Sequence, residues 1–286
     1  MHIRKSLTAS LVAMLLAACS PVGFLNTITP SGSFSLEKNL AYGDLDRQKL
    51  DIYTSQTSKS SAPLIVFVHG GSWKDGSKDI YKFIGEGFAR EGYDVVVPNY
   101  RLYPEAKFPG FVEDTASAVS FAAKRYPDRS LALIGHSAGG HIVTLLGTNG
   151  DYFRAAGVDM CSRISSIIGF AAPTGAYPLK EEPFITIFPE RFGGKDAPLN
   201  NVNSPSPAMF LMNGGNDTTV GPKNSEQLAA AINARGGSAI YKLYPELNHT
   251  EPVKVMSKYF DEDSTLKADV ISFIDAQAAK QSGFCQ

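Results

Sequence analysis

Short runs of apolar, often β-branched residues alternate with longer amphipathic stretches along most of the chain. The apolar runs have the length of buried strands and cover 64–68, 95–97, 131–134, 164–170, 208–212 and 239–243. Helical periodicity covers 79–90, 111–125, 138–148, 224–235 and 265–278, and an earlier hairpin is indicated at 48–53. This alternation predicts an α/β fold in which a mostly parallel central sheet is flanked by helices.

The first residues follow a different pattern. Basic residues precede an apolar run over 7–18 that is too short to span a bilayer and is typical of a secretory signal peptide. The run ends in Leu16-Ala17-Ala18-Cys19, which resembles the lipobox of bacterial lipoproteins. That resemblance implies cleavage before Cys19, attachment of a lipid to its sulfur, and a location in the bacterial cell envelope. Ordinary secretion and an internal helix are the alternatives.

Three segments are therefore predicted: a signal peptide over 1–18, a lipidated tether over 19–35, and one domain over 36–286. The tether holds Pro, Gly, Ser and Thr without apolar periodicity. Within the domain, residues 173–207 are rich in Pro, Gly and Asn and interrupt the alternation, which predicts a small cap insertion. We call residues 173–207 the cap segment.

The composition fits one large globular domain, since 43% of the 286 residues are hydrophobic and 19% are charged. The formal net charge is -1, without a block of like charges, so no nucleic-acid partner is expected. Membrane contact is expected only through the lipid anchor. An exported protein with Cys19 acylated retains Cys161 and Cys285, for which we predict a disulfide. No metal-ligand or phosphate-binding motif is present, and we predict no metal and no cofactor.

Gly135-His136-Ser137-Ala138-Gly139 matches the pattern G-x-S-x-G. The motif is short and unspecific when it stands alone, and an ordinary glycine-rich turn is the alternative. Here a predicted strand leads into it and a predicted helix leaves it, which is the setting of a nucleophile elbow. We therefore predict that Ser137 is a nucleophile.

A second glycine motif, His69-Gly70-Gly71-Ser72-Trp73, follows the strand at 64–68. Small residues allow backbone N–H groups to point into a cleft. We therefore predict that N–H groups of this motif form an oxyanion hole together with the N–H of Ala138. Gly71 is the preferred donor, with Ser72 and Gly70 as weaker candidates. The sequence leaves open whether Trp73 lines a pocket or belongs to the core.

These motifs, with Asn99-Tyr100-Arg101-Leu102 after the next strand, resemble the α/β-hydrolases of the hormone-sensitive-lipase and acetyl-esterase group. The resemblance covers roughly residues 36–279 and implies the α/β-hydrolase fold. Ser72 departs from it, because a third glycine is usual there. The form H-G-G-x-W is instead that of kynurenine formamidases and feruloyl-esterase-like proteins. The motif therefore does not decide whether the leaving group is that of an ester or of a formamide.

A serine nucleophile requires a base, and the chain has five histidines. His2 leaves with the signal peptide, and His69 belongs to the glycine loop. His136 and His141 are close neighbours of Ser137 in the sequence. His249, in a loop after the last strand, is therefore the predicted base.

The hydrolase order of serine, acid and histidine places the acid between Ser137 and His249. Asp217, in a flexible turn after the strand at 208–212, fits that place. Glu246 and Asp196 are the rival carboxylates.

The expected function is that of a serine carboxylesterase that cleaves short- to medium-chain acyl or aryl esters through an acyl-enzyme on Ser137. A cap of modest length argues against long triglycerides. The alternatives are an arylformamidase, suggested by H-G-G-x-W, and a non-catalytic envelope lipoprotein that uses the fold for binding. The sequence predicts a small-molecule ester as partner and no particular oligomeric state.

Overall fold

An eight-stranded sheet lies at the centre of the computed structural model, which describes residues 21–59, 61–175, 181–202 and 205–280. The strands are β1 (Phe34–Ala41), β2 (Lys49–Ser55), β3 (Leu64–Val68), β4 (Val95–Pro98), β5 (Leu131–His136), β6 (Ile164–Phe170), β7 (Ala208–Gly214) and β8 (Ala239–Tyr244). Their order is β1-β2-β4-β3-β5-β6-β7-β8. The first two strands are antiparallel to their neighbours, and β3 to β8 are parallel. The predicted fold class is confirmed.

The described helices are α1 (Pro21–Ile28), α2 (Lys82–Ala89), α3 (Gly110–Arg125), α4 (Ala138–Thr148), α5 (Asp151–Ala155), α6 (Met160–Arg163), α7 (Phe184–Ile187), α8 (Lys223–Ala234), α9 (Glu251–Lys254) and α10 (Leu266–Ala278). Single 3₁₀ turns cover Lys78–Ile80, Glu190–Phe192 and Pro198–Asn201. In the described part of the chain, no helix has the length and apolar character needed to cross a membrane.

The sheet has a hydrophobic core on each face, as the strand period of two requires. On β3, Leu64, Val66 and Val68 pack into one core together with residues of α3, α4 and α8. The intervening Ile65 and Phe67 pack into the other core with residues of α2 and α10. Burial on both faces explains why the strands appear in the sequence as continuous apolar runs.

The helix predicted over 79–90 is interrupted in the structure. A 3₁₀ turn over Lys78–Ile80 precedes α2, and Tyr81 between them has φ -116° and ψ 25°. Lys78 is buried and its Nζ lies 2.9 Å from the Asp51 carboxylate, while its backbone N–H donates to Asn99 Oδ1. These contacts with β2 and with the segment after β4 hold the 3₁₀ turn apart from α2.

The tether prediction for 19–35 is wrong from residue 21 onward, because α1 packs against the domain. Leu25 is 3% exposed and belongs to the core beneath α2. Asn26 donates to the carbonyl of Asp79 and accepts from the N–H of Lys82. The buried face of α1 covers about one turn and lies among Pro, Gly and Thr residues. Such a short face shows too little apolar periodicity for the helix to be recognised in the sequence. Residues 1–20, with the predicted signal peptide and Cys19, lie outside the described residues.

Cys161, at the start of α6, is disulfide-bonded. The cysteine that pairs with it lies outside the described residues, as do both Cys19 and Cys285. The bond between Cys161 and Cys285 therefore stays a prediction.

Leu25→Ala should lower the free energy of unfolding by about 2–3 kcal/mol, since it removes a buried leucine side chain. Phe24→Ala is the matched control, because Phe24 is 56% exposed on the same helix, and its effect should stay within about 0.5 kcal/mol. Urea unfolding of both variants, produced without residues 1–18, measures the difference. Equal unfolding midpoints would show that α1 does not contribute to the fold in solution.

Candidate active site

The turn between β5 and α4 places Ser137 in a backbone conformation that few residues adopt, with φ 52° and ψ -119°. The chain there is tightly packed. A Cβ atom on Gly135 would lie 2.2 Å from the Gly139 carbonyl oxygen, and one on Gly139 would lie 2.1 Å from the Val68 carbonyl oxygen. Contacts this short exclude any side chain, so the two glycines of G-x-S-x-G are steric requirements of the turn.

Ser137 is held from two sides. Its N–H donates to the carbonyl of Phe170 at the end of β6, at 2.9 Å. Its own carbonyl accepts from the N–H of His141 in the first turn of α4, also at 2.9 Å. The hydroxyl therefore stands at the carboxyl end of the sheet, next to the positive end of a helix.

Three predicted residues meet at this point in a continuous chain of hydrogen bonds. His249 Nε2 lies 3.0 Å from Ser137 Oγ, and His249 Nδ1 lies 2.8 Å from Asp217 Oδ2. A carboxylate only accepts, so Nδ1 carries the ring proton and Nε2 presents its lone pair to the serine hydroxyl. This is the arrangement of a nucleophile, a base and an orienting acid.

The carboxylate of Asp217 is fixed before it meets the histidine. Its side chain is fully buried, and Oδ1 accepts from the N–H groups of Thr219 and Val220, each at 2.8 Å. Only Oδ2 is directed at His249. The rival acids lie elsewhere: Glu246 accepts from the Ser264 hydroxyl, and Asp196 reaches a histidine only through its backbone carbonyl, at His141.

The loops that carry the acid and the base cross each other closely. A Cβ atom on Gly214 would lie 2.1 Å from the carbonyl oxygen of Leu247, in the loop before His249. Asn216 N–H donates to that same carbonyl, at 3.0 Å. The turn after β7 therefore needs a glycine where the two loops touch.

The loop of His249 has a further support that the sequence did not reveal. His136, the residue before the nucleophile, donates from Nε2 to the backbone carbonyl of His249 at 2.7 Å. Burial, and then the neighbouring His249, lower the pKa of His136 to about 4, so its ring stays neutral. The residues are 113 positions apart, and no local pattern signals such a contact.

The glycine loop after β3 lies against the nucleophile, since a Cβ atom on Gly70 would be 3.2 Å from Ser137 Cβ. Its first peptide carbonyl, that of Gly70, accepts from His69 Nδ1 at 2.7 Å. Its second, that of Gly71, accepts from the N–H groups of Lys74 and Asp75 at 3.1 and 2.8 Å. In a trans peptide the N–H points opposite to the carbonyl, so the N–H groups of Gly71 and Ser72 point away from these contacts.

Gly71 itself has φ +126°, and a Cβ atom there would lie 2.0 Å from the carbonyl oxygen of Asp75. The N–H groups of Gly71, Ser72 and Ala138 donate to no other residue in the described part of the chain. Gly70 differs: burial raises the pKa of Tyr81 to about 12, and a backbone hydrogen bond from Gly70 opposes that rise. Because only an N–H can stabilise a phenolate in this way, the Gly70 N–H is engaged with Tyr81. Three of the four candidate donors therefore remain free.

Over the described ranges, no group of three His, Cys, Asp or Glu residues is arranged to hold a metal ion. Trp73, whose role the sequence left open, is buried at 5% exposure among aromatic rings of α3 and the cap segment.

Comparison with known proteins agrees with this fold. The sequence model of the BD-FAE family matches residues 50–184, a range that contains both glycine motifs. A crystal structure of a tributyrin phosphonate-inhibited esterase B from Lactobacillus rhamnosis superposes with a TM-score of 0.77 at 18% identity, covering 97% of each chain. The chain has the α/β-hydrolase fold.

Two curated relatives of this chain come from different enzyme classes. The isoprenylcysteine alpha-carbonyl methylesterase ICME of Arabidopsis thaliana is 27% identical over 277 residues, which cover 86% of this chain and 63% of that protein. Kynurenine formamidase of Danio rerio is 25% identical over 244 residues, covering 82% of this chain and 81% of that protein. The chain thus spans less than two thirds of the plant methylesterase.

Three buried histidines make the stability of the protein depend on pH. Burial is the main cause that lowers the pKa values of His69, His136 and His141 to about 4, whereas an unfolded histidine titrates near 6.5. Between these values the unfolded chain binds more protons, so stability is lost as the pH falls from about 6.5 to about 4. Each histidine contributes at most about 3 kcal/mol.

Urea unfolding between pH 8 and pH 4.5 measures this loss, and His141→Asn should reduce its slope. A free energy of unfolding that stays constant over this range would contradict burial of the three neutral rings.

Proposed function

We propose that this α/β-hydrolase is a serine carboxylesterase that cleaves short- to medium-chain acyl or aryl esters. The observation that carries the proposal is the hydrogen-bonded series Asp217, His249, Ser137 beside three free backbone donors. Each member has the neighbour that its catalytic task requires.

The geometry supports a two-step acyl transfer. His249 Nε2 takes the hydroxyl proton as Ser137 Oγ attacks the ester carbonyl carbon, and the oxyanion accepts from the N–H groups of Gly71, Ser72 and Ala138. The imidazolium then gives its proton to the leaving alcohol oxygen as the C–O bond breaks. In the second step, His249 deprotonates water, which attacks the acyl-enzyme and releases the carboxylic acid and the free serine. Asp217 stabilises the imidazolium in both steps.

The proposed preference for small acyl or aryl groups rests on the aromatic packing of the cap segment. Phe188 and Phe184 of this segment contact the ring of Trp73, with centroid distances of 4.7 and 6.1 Å, and Phe192 contacts Phe108 at 4.9 Å. Bulky rings beside the oxyanion loop leave little room for a long chain on that side. The similarity to an esterase inhibited by a tributyrin phosphonate is in accord with short acyl chains.

An arylformamidase is the second candidate, favoured by H-G-G-x-W at 69–73 and by the similarity to a kynurenine formamidase over 81% of that protein's length. The same residues would attack a formamide carbonyl and protonate an amine. A non-catalytic binding protein would need neither the buried acid nor the base within reach of Ser137, so the geometry argues against it.

Ser137→Ala should reduce turnover of p-nitrophenyl esters by at least about ten-thousandfold, because the nucleophile and the covalent intermediate are lost. The substrate series runs from acetate to decanoate, and we expect the highest kcat/KM for short chains. Ser117→Ala is the matched control: the Ser117 hydroxyl donates to the Glu113 carbonyl within α3, and the variant should keep at least about a third of the activity.

A Ser137→Ala enzyme that retained a tenth of the rate would refute covalent catalysis on Ser137. Cleavage of N-formylkynurenine with no ester turnover, also abolished by Ser137→Ala, would select the formamidase. Turnover of neither substrate would select the binding protein.

We also propose that the hydrolase is a lipid-anchored protein of the bacterial cell envelope, acylated on Cys19. Support comes from the lipobox-like sequence at 16–19 and from α1, which begins at Pro21 and packs on the domain. The two residue steps from Cys19 to Pro21 span at most about 7 Å, so the domain would lie directly on the membrane surface. More than one acyl chain on Cys19 gives stable anchoring.

Cys19→Ser should move the hydrolase from the membrane fraction to the soluble fraction and abolish labelling by radioactive palmitate. Cys161→Ser is the control, since it removes a different cysteine and should leave both the membrane fraction and the label unchanged. Membrane recovery of the Cys19→Ser protein would contradict the anchor.

A further inference from the structure

Two consecutive residues of the oxyanion loop have an unfavourable backbone conformation. Ser72 and Trp73 have φ values of 52° and 58°, in the left-handed region that is unfavourable for a residue with a side chain. Such a conformation persists only where surrounding contacts fix it. This left-handed stretch comes directly after the N–H groups of Gly71 and Ser72 in the chain. The contacts that fix its conformation therefore also fix the positions of these two oxyanion donors.

Trp73 supplies these contacts from a buried position. Its carbonyl accepts from the N–H of Tyr103 at 2.9 Å, and its indole Nε1–H donates to His141 Nδ1 at 3.3 Å. The two rings are edge to face, with centroids 5.2 Å apart and an interplanar angle of 88°. An indole N–H only donates, so His141 Nδ1 must present a lone pair.

His141 connects three parts of the site. Its Nε2 donates to the backbone carbonyl of Asp196 in the cap segment at 2.7 Å, and its backbone N–H donates to the carbonyl of Ser137 at 2.9 Å. The ring is fully buried, and burial lowers its pKa to about 4. A neutral imidazole with its proton on Nε2 satisfies both ring contacts at once.

We propose that Trp73 and His141 are positioning residues for acyl transfer. Hydrogen bonds from the Asp196 carbonyl through His141 to the Trp73 indole hold the N–H groups of Gly71 and Ser72 on the oxyanion, and make the hole depend on a docked cap segment. The inference rests on the proposed serine hydrolase function. Loss of this link weakens binding of the transition state and leaves binding of the substrate largely intact, so it lowers kcat rather than raising KM.

Trp73 is the only tryptophan of the chain, which permits an atomic test. Replacing tryptophan throughout the protein by benzothienylalanine substitutes sulfur for the N–H at this one site. We expect kcat for p-nitrophenyl butyrate to fall about 10- to 100-fold with KM within about twofold. The inhibition constant of a trifluoromethyl ketone, which forms an oxyanion on the serine, should rise by the same factor as kcat/KM falls.

Two amide variants separate the contacts of His141. In His141→Gln the amide reaches toward Asp196 but offers no acceptor to Trp73, so the variant should behave as the benzothienyl protein. In His141→Asn the amide oxygen takes the place of Nδ1, which should restore part of kcat. Phe111→Leu is the packing control: its ring is 6.3 Å from that of Trp73, and its loss should lower Tm but change kcat by less than about threefold.

Retention of kcat and of the ketone inhibition constant, both within about threefold, in the benzothienyl and His141→Gln proteins would overturn the proposal. So would a free indole N–H in the ultraviolet resonance Raman spectrum of the unmodified protein, which measures the bond without any turnover. Failure of the unmodified protein to hydrolyse esters or N-formylkynurenine would instead overturn the proposed function, and the proposal with it.

Discussion

The backbone of Ser137 is the constraint on which the site depends. Its φ of 52° and ψ of -119° cost about 1–3 kcal/mol, and the parallel sheet meets that cost. β5 pairs with β3 on one side and β6 on the other, and Phe170 of β6 accepts the Ser137 N–H. The strain directs the hydroxyl out of the sheet toward His249, which a relaxed strand-to-helix turn would not do. The flanking glycines exist because no side chain fits between the crossing backbones.

Four histidines surround this turn, and one of them differs from the other three in its hydrogen-bond partner. His69, His136 and His141 each donate to a backbone carbonyl, are buried, and stay neutral. His249 instead donates to a carboxylate, and 18% of its side chain is exposed. Only His249 has a partner that stabilises an imidazolium, so only it is equipped to move a proton during turnover. The three neutral rings fix backbone segments around it, each through the one N–H that a neutral imidazole donates to a carbonyl.

The sequence was sufficient for features that local patterns encode. Buried strands gave apolar runs within a few residues of their observed bounds, and chain order alone placed Asp217 and His249 with Ser137. Prediction from the sequence failed where contacts between distant parts of the chain determine the structure. α1 has only eight residues and is stabilised by partners far along the chain, such as Asp79 for Asn26. Likewise, the bonds of His136 and His141 reach 113 and 55 residues away, and the engagement of Gly70 depends on Tyr81.

Ser72 and Trp73 together explain the departure from a third glycine in the loop. A glycine at position 72 would adopt φ 52° without strain, but would also leave the unfolded and partly open loop more conformations to occupy. Serine restricts those conformations but is strained in the folded loop. Contacts made by neighbouring residues must offset this strain. The indole of Trp73 does this through His141 and the Tyr103 N–H. A serine with an anchored tryptophan and a glycine with a freer neighbour are therefore two ways to hold the same N–H groups, and this chain uses the stiffer one.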